Sequence, residues 1–84
     1  MYWIYVLKSN TDGKLYVGST SNLEKRLCYH NAGKVRSTKS RKPLKLVYKE
    51  PYDNMRDARK RENFLKSGQG RISLKSLIAN TLDV

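Results

Sequence analysis

The chain has 84 residues, with 18 Lys and Arg against 7 Asp and Glu, for a formal net charge of +11. A chain this short buries only about 60–65% of its unfolded surface and builds one modest core, which excludes a two-domain organisation. The charge says nothing of fold but points to a polyanion as partner. No apolar run approaches the ~20 residues that span a bilayer, and no helix pairs a broad aromatic face with a basic one, so nucleic acid fits better than a membrane.

The opening "MYWIYVLKS" lacks a basic n-region, a full-length apolar h-region and a small-residue cleavage site, and reads as a buried strand rather than a leader. Residues 2 to 8 are aromatic and β-branched; Asp12-Gly13 supplies a turn before "LYVGS", which together predict a β-hairpin. Alternation puts Tyr5 on the face of Trp3 and Leu7, and Tyr16 on the face opposite Leu15 and Val17, so strand register decides whether the two tyrosines meet.

Ser21 followed by Glu24 fits a capping box, and Gly33 is a natural stop, which predicts a first helix over residues 22–32. Leu23 and Leu27 form its core stripe. Arg26 and His30, four residues apart, share a second face. From Lys34 to Lys49 there are seven basic residues and no acidic one, a basic loop feeding a third strand that enters after Pro43. Asp53 is the expected cap of a second helix, with Met55, Ala58 and Leu65 inward and an end before Gly68 and Gly70. A third helix is expected from Ile72 or Ser73 to Thr81, with Leu74, Leu77, Ile78 and Leu82 inward and the terminal "NTLDV" fraying. The order is ββαβαα, an α+β domain with one three-stranded antiparallel sheet packed by about three helices. No repeat, linker or low-complexity tract interrupts it.

Cys28 and His30 are the only residues of their kinds, which precludes an internal disulfide or a structural zinc site and suits a reducing cytoplasm. Glu62 is the most informative acid. It falls on the inward stripe of the second helix, where an unpaired carboxylate costs several kcal/mol. Its compensation is either a salt bridge to Arg26 or a neighbouring Arg or Lys, or a divalent cation. Taken singly, a strand tyrosine, a helical arginine and a lone histidine have ordinary structural uses.

In combination they do not. The hairpin "WIY…YVG", then Arg26 and His30 on the first helix, then "ARKRENFLK" with its acid on the next long helix, resembles the GIY-YIG nuclease family over nearly the whole chain. The resemblance extends to the N-terminal incision domain of the bacterial excision-repair nuclease, and with it to DNA repair. Trp3 stands in place of the first name-giving Gly, Val17 in place of Ile, and Ser19 where some members carry a Lys.

The resemblance implies phosphodiester hydrolysis in DNA assisted by one divalent metal, Mg²⁺ or Mn²⁺, with Glu62 as its ligand. Arg26 would hold the scissile phosphate, His30 would accept a proton or donate to the phosphate, and either Tyr5 or Tyr16 would be the base. Gly18 would let the substrate or the first helix approach the strand end. Arg36, Lys39, Arg41 and Lys42 of the basic loop would bind the nucleic-acid backbone. A two-metal site wants several convergent carboxylates, and only Glu62 is inward. A non-catalytic nucleic-acid-binding module on the same scaffold is the alternative; a basic ribonucleoprotein component explains the charge but not the combination of residues. No DNA-reading domain is visible, so recognition of phosphates and shape is expected, with any targeting protein left open.

Overall fold

The computed structural model describes residues 1–82, with side chains through residue 79. Its elements are β1 (Tyr2–Ser9), β2 (Leu15–Thr20), α1 (Leu23–Asn31), β3 (Leu44–Tyr52), α2 (Met55–Lys66) and α3 (Gly68–Leu82), with a short 3₁₀ turn at Lys39–Arg41. The α+β class and the ββαβαα order are those expected. The backbone of residues 80–82, where fraying is expected, continues α3; the fraying expected of residues 83–84 and the inward Leu82 side chain lie outside the described residues. Among the described residues no helix is long and apolar enough to cross a membrane.

The hairpin closes because Gly13 adopts φ +72°, a conformation that costs glycine little, while Ser9 N–H donates to Lys14 C=O at 3.0 Å. Strand order is β2-β1-β3, antiparallel throughout, with β1 central and β2 and β3 at the edges. An edge position tolerates Pro51 within β3, where a central strand would lose a ladder bond. The pleat then sorts side chains to two faces. On one, Ile4, Val6, Val17 and Val47 pack with Ala58 and Leu65 of α2 and Leu74 and Ile78 of α3. On the other, Tyr5, Leu7 and Leu44 pack with Leu23 and Leu27 of α1. The sheet is thus sandwiched between α1 and the α2–α3 pair.

Four expectations are corrected. The α1 cap is Asn22, not Ser21: its side chain accepts from Lys25 N–H, and Thr20 Oγ1 accepts from Asn22 N–H at 3.1 Å, fixing the turn one residue later. The α2 cap is Asn54, not Asp53, accepting from Asp57 N–H at 2.9 Å. Met55 lies in the first turn and is 45% exposed, so the α2 stripe rests on Ala58 and Leu65. Finally, α3 begins at Gly68. Ser67 Oγ accepts from Gly70 N–H at 3.2 Å and caps it, and a Cβ on Gly70 would overlap the Phe64 carbonyl. Gly70 thus permits a close helix-to-helix corner rather than a loop.

Candidate active site

Register answers whether the tyrosines meet. Tyr5 pairs with Gly18 and Leu7 with Tyr16, so Tyr5 and Tyr16 are diagonal neighbours on the α1 face, their ring centroids 6.2 Å apart. Gly18 is required by Tyr5 itself: a Cβ there would stand 2.5 Å from the Tyr5 hydroxyl. The protein group that comes close is therefore the cross-strand tyrosine rather than the first helix, and Gly18 also lines the cleft beside it. The absent side chain lets the Tyr5 hydroxyl reach toward the free edge of β2.

Arg26 and His30 project from α1 onto these rings. Arg26 Nε–H donates to the Tyr5 hydroxyl at 3.2 Å, and that hydroxyl lies 2.9 Å from His30 Nε2. The other ring nitrogen, Nδ1, lies 2.8 Å from Thr38 Oγ1. Tyr5 is buried, which raises its pKa to about 12 against the opposing hydrogen bond from Arg26. Burial and then the Arg26 charge lower His30 to about 4, so the imidazole is neutral at pH 7. The hydrogen bond to Tyr5 holds Arg26 more firmly protonated against its partial burial, and Tyr16 adds to the effect. His30 is fully buried with both nitrogens engaged, so it has no donor to offer a phosphate.

Glu62 approaches from the other side of the sheet. Its Oε1 accepts from Ser19 Oγ at 2.7 Å and its Oε2 from Lys66 Nζ at 2.7 Å. Burial opposes its ionisation, but the Lys66 and Ser19 hydrogen bonds outweigh burial and hold the carboxyl below its ordinary 4.5. The compensation is thus an ion pair one helical turn away, not Arg26. Tyr5, Tyr16, Gly18 and Arg26 meet Ser19, Arg59, Glu62 and Asn63 around one cleft of ≈ 420 Å³. Because β2 pairs on one side only, the cleft wraps its free edge and joins residues from both faces of the sheet.

Among the described residues no three His, Cys, Asp or Glu side chains converge to cage a metal. The donor set nevertheless fits a hard divalent cation. Mg²⁺ keeps most of its water and uses one or two carboxylates with substrate phosphates. Glu62 offers an ionised oxygen at an open cleft, and its Lys66 partner is 47% exposed and able to swing away.

Comparison with known proteins accords with this arrangement. Residues 1–74 match the family model of the GIY-YIG catalytic domain. The chain belongs to the GIY-YIG family. It is 46% identical over 67 residues to a UPF0213 protein of Clostridium perfringens, covering 79% of this chain and 71% of that protein. It is 43% identical over 82 residues to the UPF0213 protein YsiG of Lactococcus lactis, covering 96% and 78%. The solution NMR structure of a UPF0213 protein from Bacillus halodurans superposes with a TM-score of 0.57 at 30% identity, covering 92% of this chain and 85% of that one.

The basic loop of this GIY-YIG domain is less free than its composition suggests. Arg36, Lys39 and Lys42 are exposed. Arg41 instead pairs with Asp12 at 3.4 Å across the hairpin turn and reaches the Leu15 carbonyl, which corrects the expectation that the loop has no acidic neighbour. A larger groove of ≈ 1010 Å³ continues from Tyr16 along the β2 edge to α3, rimmed by Lys14, Arg41, Lys66, Arg71 and Lys75. Sequence reasoning passed over Arg71 and Lys75 because isolated cations on a helix read as solvated charge. It also passed over Thr38, and read Ser19 only as a departure from the family pattern; their polar partners are 8 and 43 residues away. Periodicity carries no signal for such pairs.

Proposed function

We propose that this GIY-YIG domain is a divalent-metal-dependent DNA endonuclease that hydrolyses phosphodiester bonds by a one-metal mechanism. The observation that carries the reading is the meeting of two tyrosines, Arg26 and an ionised Glu62 around a single open cleft. Phosphodiester hydrolysis needs a base for the attacking water, positive charge on the phosphate oxygens and help for the leaving oxygen. Glu62 would hold Mg²⁺ or Mn²⁺, with the Ser19 hydroxyl and Asn63 beside it. The ion supplies charge neutralisation on the phosphate and polarisation of the leaving oxygen.

The two tyrosines divide the remaining work. The Tyr5 hydroxyl is buried between Arg26 and His30 and serves to aim the guanidinium. Tyr16 lines the cleft and packs edge-on against the His30 ring, centroids 4.9 Å apart. Tyr16 is therefore the general base: its proton leaves to solvent, Arg26 holds the phenolate charge, and the phenolate takes a proton from the attacking water. The remaining guanidinium N–H groups of Arg26 bind the phosphate oxygens. Arg36, Lys39 and Lys42 hold the backbone outside the cleft.

Purified protein incubated with labelled duplex, flap, junction and single-stranded DNAs is expected to cut at least one of them with Mg²⁺ or Mn²⁺ and none with EDTA. Binding without cleavage under every metal condition would favour a non-catalytic nucleic-acid-binding module in which Lys66 permanently neutralises Glu62.

A further inference from the structure

Thr38 sits in the basic loop between Arg36 and Lys39, yet its side chain is fully buried. Its hydroxyl meets two partners, His30 Nδ1 at 2.8 Å and the Val35 carbonyl at 3.4 Å. The Val35 carbonyl, which also accepts from Thr38 N–H at 3.1 Å, only accepts, so the arrangement that keeps both contacts of the hydroxyl has it donating to Val35 and accepting from Nδ1–H. At the far end of the same chain Arg26 only donates, so the Tyr5 oxygen accepts from it. Both ends of the series Arg26, Tyr5, His30, Thr38, Val35 are thus fixed, and only one direction of donation satisfies every link. Arg26 donates to Tyr5, Tyr5 to His30 Nε2, His30 Nδ1 to Thr38, and Thr38 to Val35.

We infer that Thr38 is a positioning residue for the cleavage site: by accepting from Nδ1–H it selects the His30 tautomer whose bare Nε2 accepts the hydrogen bond of the Tyr5 hydroxyl, leaving the Tyr5 oxygen free to aim Arg26. The inference rests on the nuclease reading above only for its effect on rate. Without the Thr38 hydroxyl, Nδ1–H has no partner in a buried site, and that tautomer loses its advantage. The competing Nε2–H form would donate to the Tyr5 oxygen and turn the Tyr5 proton away from His30 into the cleft, changing how the oxygen meets Arg26.

The chain has a single histidine, so its imidazole nitrogen signals are unambiguous by ¹⁵N NMR. In the wild-type protein at pH 7 the Nδ1–H tautomer is expected. Thr38→Ser, which keeps the hydroxyl, should retain it, and Thr38→Val, nearly isosteric, should shift the ring to Nε2–H or a mixture. Cleavage by Thr38→Val should fall in kcat by about 10- to 100-fold with KM for DNA unchanged, and Thr38→Ser should restore most of it. An Nε2–H ring in the wild type overturns the inference even if Thr38→Val fails to fold. So does an unshifted tautomer in a folded Thr38→Val. A wild-type protein that cuts no DNA would sink the nuclease reading while leaving the tautomer measurement to decide the role of Thr38.

Discussion

Two carboxylates, Glu50 of β3 and Glu62 of α2, lie on the same side of the sheet, and they do opposite things. Glu50 of β3 accepts from Tyr48, from Tyr52 at 2.7 Å, and from both Nε and Nη2 of Arg61 at 3.0 and 3.2 Å. Its four donors saturate it and close it off. Glu62 has two donors, one of them a lysine on a flexible stem, and faces a cleft. Both carboxyls are held below their ordinary value, burial in each case being outweighed by hydrogen bonds. Tyr48 and Tyr52 are raised to about 12 by burial and then by Glu50, the same value that Tyr5 reaches. Perturbed titration therefore marks both places alike, and what separates them is spare hydrogen-bonding capacity beside open space.

The largest expected contrast comes from amide replacement. Glu62→Gln should abolish metal-dependent cleavage with little change in melting temperature, because the amide keeps the shape but offers a hard cation no charge. Glu50→Gln should keep kcat and lose about 1–3 kcal/mol of stability in chemical denaturation, because the half-buried Arg61 fork loses its ionic partner. Normal cutting by Glu62→Gln, or lost cutting by a folded Glu50→Gln, would invert the comparison.

Hydroxyl removal sharpens it. Tyr16→Phe should lower kcat by about two to four orders of magnitude at saturating DNA while binding persists. Tyr5→Phe should fall less, since it misaims Arg26 without removing the base, and Tyr52→Phe should leave kcat unchanged. Wild-type turnover by Tyr16→Phe would return the base to Tyr5.

Acid should separate the two regions by pH. His30 is held at about 4 against an ordinary 6.5, so it binds fewer protons folded than unfolded. Its contribution to stability is complete above 6.5 and is lost as pH falls toward about 4, at up to about 1.4 kcal/mol per unit. Glu50, lowered from 4.5, contributes stability that is present above 4.5 and lost as pH falls below it. Urea titrations over a pH series should show the first loss missing in His30→Gln and the second missing in Glu50→Gln.

The smallest effect is electrostatic. Replacing Arg36, Lys39 and Lys42 with Ala should make the log–log salt slope of DNA binding shallower by about 2–3 units. Replacing Arg61 and Glu50 together, by Met and Gln, removes a neutralised pair and should leave the slope as it was. An unchanged slope in the loop variant would move the DNA track to the groove rimmed by Arg71 and Lys75, or to the Arg56, Arg59 and Lys60 face of α2.

The sequence carried the hairpin, the sheet class and the helix faces because each has a local signature: Asp12-Gly13 for the turn, alternation for the strands, Leu23 and Leu27 for α1. Through the resemblance to the GIY-YIG family that the hairpin, the Arg26–His30 pair and "ARKRENFLK" carry, it also brought Tyr5, Tyr16, Arg26, His30 and Glu62 into one frame. Helix starts slipped by a residue or more where two cap-forming residues adjoin, as at Ser21-Asn22 and Asp53-Asn54, since the cap is chosen by the turn that precedes it. Glu50 escaped because "YKEPY" reads as an edge strand with a solvated acid; only the fold brings Arg61 over it. Thr38 escaped for the same reason, a polar residue in a polar loop whose partner is a ring on another element.

The cleft sits on a strand edge whose outer backbone groups have no sheet partner. Such an edge is a template on which a second copy could add its own strand, and many proteins cap or bury it for that reason. Here it cannot be sealed, because sealing it would close the site. Mutual repulsion between molecules of net charge +11 opposes that pairing at low ionic strength. On the proposed nuclease reading, the cations that draw a polyanion toward the edge also keep two copies from zipping together along it, so that colloidal solubility and substrate attraction draw on one surplus of positive charge.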